Sequence, residues 1–217
     1  MNDIERAINF VFRDCYVVPG VSGWANQLYV NGQFSGNFRM GTQDMELLRT
    51  IRDYQFQGKC VMKSGNALIM QFNPYLVESA IDQTLSRNCY VVPGVSGWAN
   101  QLYVNGQFSG NFNQNTEQMK LKANLADLLE NGTCLGRSPE EIRLLRDPNL
   151  INDMASFQYR GCYVKLGVSG WANQLYVNNQ FSGNFDQRSE AEQHKLQATI
   201  VDLILRGSCV YDPIRRR

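Results

Sequence analysis

The sequence predicts an α+β fold of three tandem repeats, each a helix, a three-stranded antiparallel β-sheet and a second helix. Three observations carry this. The text CYVVPGVSGWANQLYVNGQFSGNF, Cys15 to Phe38, returns unchanged from Cys89 to Phe112, and from Cys162 to Phe185 with only Lys165, Leu166 and Asn179 differing. Its copies begin 74 and 73 residues apart, so the chain is a triplication. Turn signals inside that text and helical periods on either side of it supply the elements.

The first helix of each repeat precedes the shared text. Ile4, Ile8, Val11 and Phe12 recur at helical spacing in NDIERAINFVFRDC. The matching segments NPYLVESAIDQTLSRNC and DPNLINDMASFQYRGC open on Asn73-Pro74 and Asp147-Pro148, a cap residue followed by a proline suited to a first turn. The shared text is β-structure. CYVV forms a strand that stops at Pro19-Gly20, and ANQLYV and QFSGNF flank Asn31-Gly32, a dipeptide that accepts the positive φ angles of a two-residue hairpin. Asn105-Gly106 repeats the signal and Asn178-Asn179 preserves it. A regular hairpin pairs Val30 with Gln33, Tyr29 with Phe34 and Leu28 with Ser35. One face then holds Tyr29, Phe34, Phe38 and Gln27, expected against the helices. The other holds Leu28 and Val30 with Asn26, Gln33, Ser35 and Asn37, expected in solvent.

A second helix follows, with Thr42, Thr116 and Ser189 as expected caps, the last in a box with Glu192. Leu121, Leu125, Leu128 and Leu129 give its stripe in the middle repeat, and Ile200, Leu203 and Ile204 in the last. Gly58, Gly132 and Gly207 stop it. Between repeats, VMKSGNALIMQF reads as a short hairpin around Ser64-Gly65-Asn66, and SPEEIRLLRD as a short capped helix. The expected units are 1–62, 63–136 with a linker at 63–72, and 137–217 with a linker at 137–146 and a basic tail at 214–217. Pseudo-threefold packing and separate beads both fit this pattern.

The six cysteines fall at matched places: Cys15 and Cys60, Cys89 and Cys134, Cys162 and Cys209. One disulfide per unit and six buried thiols are both open readings. The opening MNDIERAINFVFRDC breaks its apolar positions with charge and does not read as a leader, so a cytoplasmic location is expected, where thiols stay reduced. No apolar run reaches the length of a membrane span. Twenty-one basic against 20 acidic residues leave a charge of +1, too little field to gather nucleic acid or an anionic membrane.

Chemistry for catalysis is missing from the repeated text. It has no acid, and Lys165 is its only base. The single histidine, His194, has no counterpart in the other units and reads as a solvated helix residue. No metal, cofactor or enzymatic activity is expected. The contrast within the chain is more informative. Copies one and two agree at 24 of 24 positions across the shared text but at 6 of the next 22, although strands tolerate conservative exchange. Recent duplication or engineering explains this blandly; otherwise identical surfaces meet identical partners. The candidate contact residues are Trp24, Asn26, Gln33 and Asn37, then Trp98, Asn100, Gln107 and Asn111, then Trp171, Asn173, Gln180 and Asn184. Amides both donate and accept, which suits either another protein or sugar hydroxyls. The expectation is a multivalent scaffold that holds copies of one protein partner, with a three-site lectin as the alternative.

Overall fold

The computed structural model describes residues 1–212, and the basic tail at 214–217 lies outside the described residues. The tandem architecture is present. Repeat 1 runs α1 (Asp3–Ile8), β1 (Cys15–Val21), β2 (Ala25–Val30), β3 (Gln33–Arg39), α2 (Asp44–Phe56). A linker helix α3 (Gly65–Gln71) leads to repeat 2: α4 (Leu76–Ile81), β4 (Cys89–Val95), β5 (Ala99–Val104), β6 (Gln107–Asn113), α5 (Gln118–Glu130). A second linker helix α6 (Pro139–Leu145) leads to repeat 3: α7 (Leu150–Ala155), β7 (Tyr159–Arg160), β8 (Cys162–Val168), β9 (Ala172–Val177), β10 (Gln180–Asp186), α8 (Glu190–Leu205), β11 (Val210–Tyr211). Each three-stranded sheet is an antiparallel meander with the second strand in the middle.

The hairpin turns form as their dipeptides require. Asn31 and Gly32 both have positive φ, 51° and 72°, and Asn178 and Asn179 hold 49° and 63°. Asparagine tolerates the left-handed region well enough to replace the glycine. Several helix starts differ from expectation. The residues before α2 and α5 are Gln43 and Glu117 rather than Thr42 and Thr116, and neither caps through its side chain. Ser189 does accept the Glu192 N–H. Asn73 and Asp147 accept N–H groups two residues on, in turns that precede α4 and α7. The linker expected as a hairpin is the helix α3, because Ser64 accepts the Ala67 N–H and so acts as an N-cap. Its counterpart Ser138 forms a full capping box with Glu141 ahead of α6, with Pro139 in the first turn.

The largest departure lies in the sheet. Tyr29 pairs with Phe34 as expected, but Leu28 pairs with Gly36, leaving Ser35 as an extra residue in β3. The third repeat has the same bulge, with Tyr176 opposite Phe181 and Leu175 opposite Gly183. One inserted residue moves everything beyond it to the other face. Phe38 therefore joins Leu28 and Val17 inside, where α1 and α2 contribute Ala7, Leu47 and Ile51. Repeat 3 builds the same core from Val164, Leu175 and Phe185 with Met154, Leu196 and Ile200. Gly36 belongs there for a packing reason: a Cβ at that position would sit 3.3 Å from the Phe38 ring.

Disulfides Cys15–Cys60, Cys89–Cys134 and Cys162–Cys209 close the three repeats, with Cα separations of 5.2, 5.6 and 5.3 Å. Each staples the place where the chain enters and leaves its repeat. Beside them Phe12 bridges Met62, Ser86 bridges Gly136, and β7 pairs with β11. The expected cytoplasmic location is overturned by these bonds: three disulfides point to an oxidising compartment, since cytosolic thiols are held reduced. No helix among the described residues is long and apolar enough to cross a membrane.

Contacts gather the chain into two compact units, Met1–Leu76 with Phe112–Thr133, and Val77–Asn111 with the chain from Cys134 onward. In the first, α3 packs on α5, and the buried Lys63 ammonium lies 2.9 Å from Asp127 and donates to Gln71 at 3.0 Å. In the second, α6 packs on α8, and the buried Arg137 reaches Asp202 at 3.1 Å and Glu141 at 3.4 Å.

Candidate functional site

The sheet buries its Leu28 side, and the bulge adds Phe38 to that side and Asn37 to the other. On the outer face of repeat 1, Tyr16 lies opposite Tyr29 across the β1–β2 pair, their rings stacked 4.9 Å apart. Phe34 meets Tyr29 edge-on at 5.9 Å. The same three-ring ladder recurs as Tyr90–Tyr103–Phe108 and Tyr163–Tyr176–Phe181. Offset stacks and T-shaped contacts are the arrangements that ring quadrupoles favour. The predicted faces are therefore exchanged: the aromatic side looks outward, and the Leu28 side is core.

Amides border the ladder. Tyr29 Oη donates to Gln27 Oε1 at 3.0 Å, and the exposed Asn37 lies across from Gln27 on β3. Tyr103 with Gln101 and Tyr176 with Gln174 repeat the hydrogen bond at 3.0 Å. In the third repeat Lys165 places its ammonium 4.7 Å from the Tyr176 ring centre. Phe34, Phe108 and Phe181 are 55%, 54% and 54% exposed, well beyond what a packed core would leave uncovered.

The sequence-predicted contact residues divide into two groups. Trp24, Trp98 and Trp171 stand at the turn before the middle strand, 49%, 50% and 42% exposed. Gln33, Gln107 and Gln180 are exposed just after the hairpin turn, and Asn37, Asn111 and Asn184 are exposed along the third strand. Asn26, Asn100 and Asn173 are buried instead. Asn173 accepts the Gly167 N–H at 3.2 Å and donates to Gln193 of α8 at 2.9 Å, so its amide ties the sheet to the helix. Asn173→Ala is expected to lower stability by about 2 kcal/mol, and Gln180→Ala by under about 0.5 kcal/mol. Urea unfolding of the two variants checks this. Equal losses would mean that the inside and outside of the sheet are wrongly assigned.

Sequence reasoning missed Gln27 and the tyrosines as surface groups. The overlooked signal was Ser35-Gly36, a glycine inside a strand, which marks a bulge.

In the first compact unit the Tyr16 end of the ladder borders a cavity of about 590 Å³. Phe10, Tyr16, Val18, Pro19 and Tyr29 line one side, and Glu117, Met119 and Lys120 of the α5 start line the other. Burial is the main reason that the Tyr16 phenol titrates above its ordinary range. Glu117 is pushed up by burial, yet the Asn113 N–H and Lys120 outweigh this and hold it below the usual range. His194 is half-buried rather than solvated, its Nδ1 3.8 Å from Asp82. Among the described residues no group of three or more His, Cys, Asp or Glu is placed to hold a metal. Comparison with family models, curated proteins and solved structures gives no match to this chain.

Proposed function

We propose that the chain is a non-enzymatic, multivalent carbohydrate-binding protein whose ligand surfaces are the outer faces of its three sheets. The observation that carries this reading is the ladder itself: three sets of two half-buried tyrosines and an exposed phenylalanine, each bordered by Gln and Asn amides and repeated almost letter for letter. Aromatic rings offer an apolar platform to the C–H face of a sugar, and amides donate to and accept from its hydroxyls. The Phe34, Gln27 and Asn37 positions of this face carry no charge in any repeat, in keeping with a neutral ligand. Three weak sites on one chain gain avidity on a glycan array through effective concentration. The order of the two readings weighed from sequence is thereby reversed. An expected cytoplasmic location favours a protein partner over a glycan, and the disulfides remove that ground.

The test is a glycan array probed with the labelled protein and with the triple variant Phe34→Ala, Phe108→Ala, Phe181→Ala. Loss of the three exposed rings is expected to weaken array binding by about a hundredfold while the circular dichroism spectrum is unchanged. If the parent binds no glycan but retains a protein that free saccharide does not displace, the scaffold reading replaces this one.

A further inference from the structure

Successive repeats meet through a joint that occurs twice, once in each compact unit. In the first, the cavity beside Tyr16 brings Val18 and Pro19 against Glu117, Met119 and Lys120, and Lys63, three residues past Cys60, pairs with Asp127. In the second, burial, then Tyr103 and then Glu192 raise the Tyr90 phenol, His194 faces Asp82, and Arg137, three residues past Cys134, pairs with Asp202. Counting back from the buried Leu121 and Leu196, Glu192, His194 and Lys195 are the counterparts of Glu117, Met119 and Lys120.

Each half of this joint occurs once more, at the third ladder and on α2. Counting back from Leu47, the α2 residues are Gln43, Met45 and Glu46. Met45 is 71% exposed, whereas Met119 is half-buried in its joint. Phe157, which lies 5.1 Å from the Tyr163 ring as Phe10 lies 5.0 Å from Tyr16, is 49% exposed, whereas Phe10 is half-buried.

Charge at the outer edge of these two surfaces has changed in matched directions. Where Val18 and Lys120 line one cavity, the third repeat has Lys165 and α2 has Glu46. Where Lys63 pairs with Asp127 and donates to the Ala123 carbonyl at 3.4 Å, the third repeat has Asp212. On α2 the counterpart of Ala123 is Arg49 and that of Asp127 is Asp53, so Asp212 meets one base and one acid there. Asp212 holds the same backbone position as Lys63: its N–H donates to Gln158 as that of Lys63 donates to Val11. Two of the three departures from the shared text, Lys165 and Leu166, thus fall where Val18 and Pro19 line the joint.

We propose that these surfaces bind each other between copies of the chain. The third repeat of one molecule docks on α2 of another, with Met45 against Phe157 and Tyr163, Lys165 against Glu46, and Asp212 with Arg49. Asp212 also lies 3.4 Å from Arg160 of its own chain, so Arg160 and Arg49 together offset the Asp53 carboxylate in this contact. The contact joins two different surfaces, so it continues from copy to copy unless it closes into a ring. It lacks the linker-helix packing of the internal joints, so the association is weak and depends on concentration.

Sedimentation velocity over about a hundredfold range of concentration tests this. The parent is expected to shift reversibly to species above monomer mass, less so in high salt. Lys165→Glu alone, or Glu46→Lys alone, is expected to weaken self-association about tenfold or more, since like charges then face each other. An equimolar mixture of the two variants restores it, because each supplies the complement of the other. Both side chains are exposed, so neither change burdens the fold. A parent that stays monomeric throughout, or an association that both single variants leave unchanged, overturns the proposal.

Discussion

Reduction of the three disulfides is expected to abolish the cooperative thermal transition, leaving a chain with no fixed tertiary structure at 37 °C. Each bond closes a long loop, with sequence separations of 45, 45 and 47 residues. Loop-closure entropy assigns about 4 kcal/mol to a loop of that length, and a domain of ordinary stability has only about 5–15 kcal/mol in total. The cores explain why so much rests on the staples. Repeat 1 buries one sheet face against the short α1 and against two large residues of α2, Leu47 and Ile51. Units of this size bury too little apolar surface to be secure alone. Near-ultraviolet circular dichroism during a thermal ramp, with and without a phosphine reductant, reads the effect. The paired change Cys162→Ala, Cys209→Ala should loosen the second compact unit, which contains both cysteines. A reduced protein that melts within a few degrees of the oxidised one would show that the cores suffice, and that the loops cost far less in the unfolded chain than their length implies.

The fold was legible where a local signal had one physical outcome. Asn31-Gly32 fixed a hairpin because both residues must adopt positive φ, and the periodic Leu121 and Leu125 turned to the core as a helical stripe should. It was illegible where one residue carried two meanings. Ser64-Gly65-Asn66 has the letters of a turn, but Ser64 caps the α3 helix that those residues open. Ser35 looks like an ordinary strand residue, yet as a bulge it moves Phe38 to the Leu28 face and Asn37 to the Tyr29 face. Tyr29 and Phe34 pair as a regular hairpin requires, and they face outward because the sheet buries its Leu28 side. Asn26 and Asn173 were drawn into the predicted site because asparagine is usually exposed, whereas here it holds a sheet to a helix or is simply buried. The joints between repeats were beyond sequence reading for a different reason. Lys63 finds Asp127 sixty-four positions away, and only the folded chain places them 2.9 Å apart. The cysteines stood between two readings because their state depends on compartment, which no spacing encodes.

Glu141→Gln is expected to cost about 3 kcal/mol and to remove an acid transition that the parent shows below pH 4.5. Glu141 is fully buried at the start of α6. Its carboxylate accepts from Arg87 at 2.6 and 2.9 Å, from the Ser138 N–H at 2.7 Å, and lies 3.4 Å from the buried Arg137. The two-pronged hydrogen bond from Arg87 is the main reason that its pKa falls to about 2, against the upward push of burial. A folded-state pKa lowered in this way adds stability that is complete above the unfolded value of 4.5 and is lost as pH falls toward 2. The amide keeps the shape but not the charge, so Arg137 stays buried with Asp202 as its remaining carboxylate partner. Leaving a buried cation short of its counter-charge is what makes the loss large, although the intact pair itself adds little over a well-packed apolar one. Urea midpoints of parent and variant, followed from neutral pH down to about pH 3, separate the terms. The two curves should draw together as pH falls from 4.5 toward about 3, because the unfolded parent then gains a proton that its folded carboxylate, with a pKa of about 2, does not. Parallel curves across that range would place the acid sensitivity elsewhere, and would leave Glu141 as a helix cap rather than the charge that holds Arg87 and Arg137 in the fold.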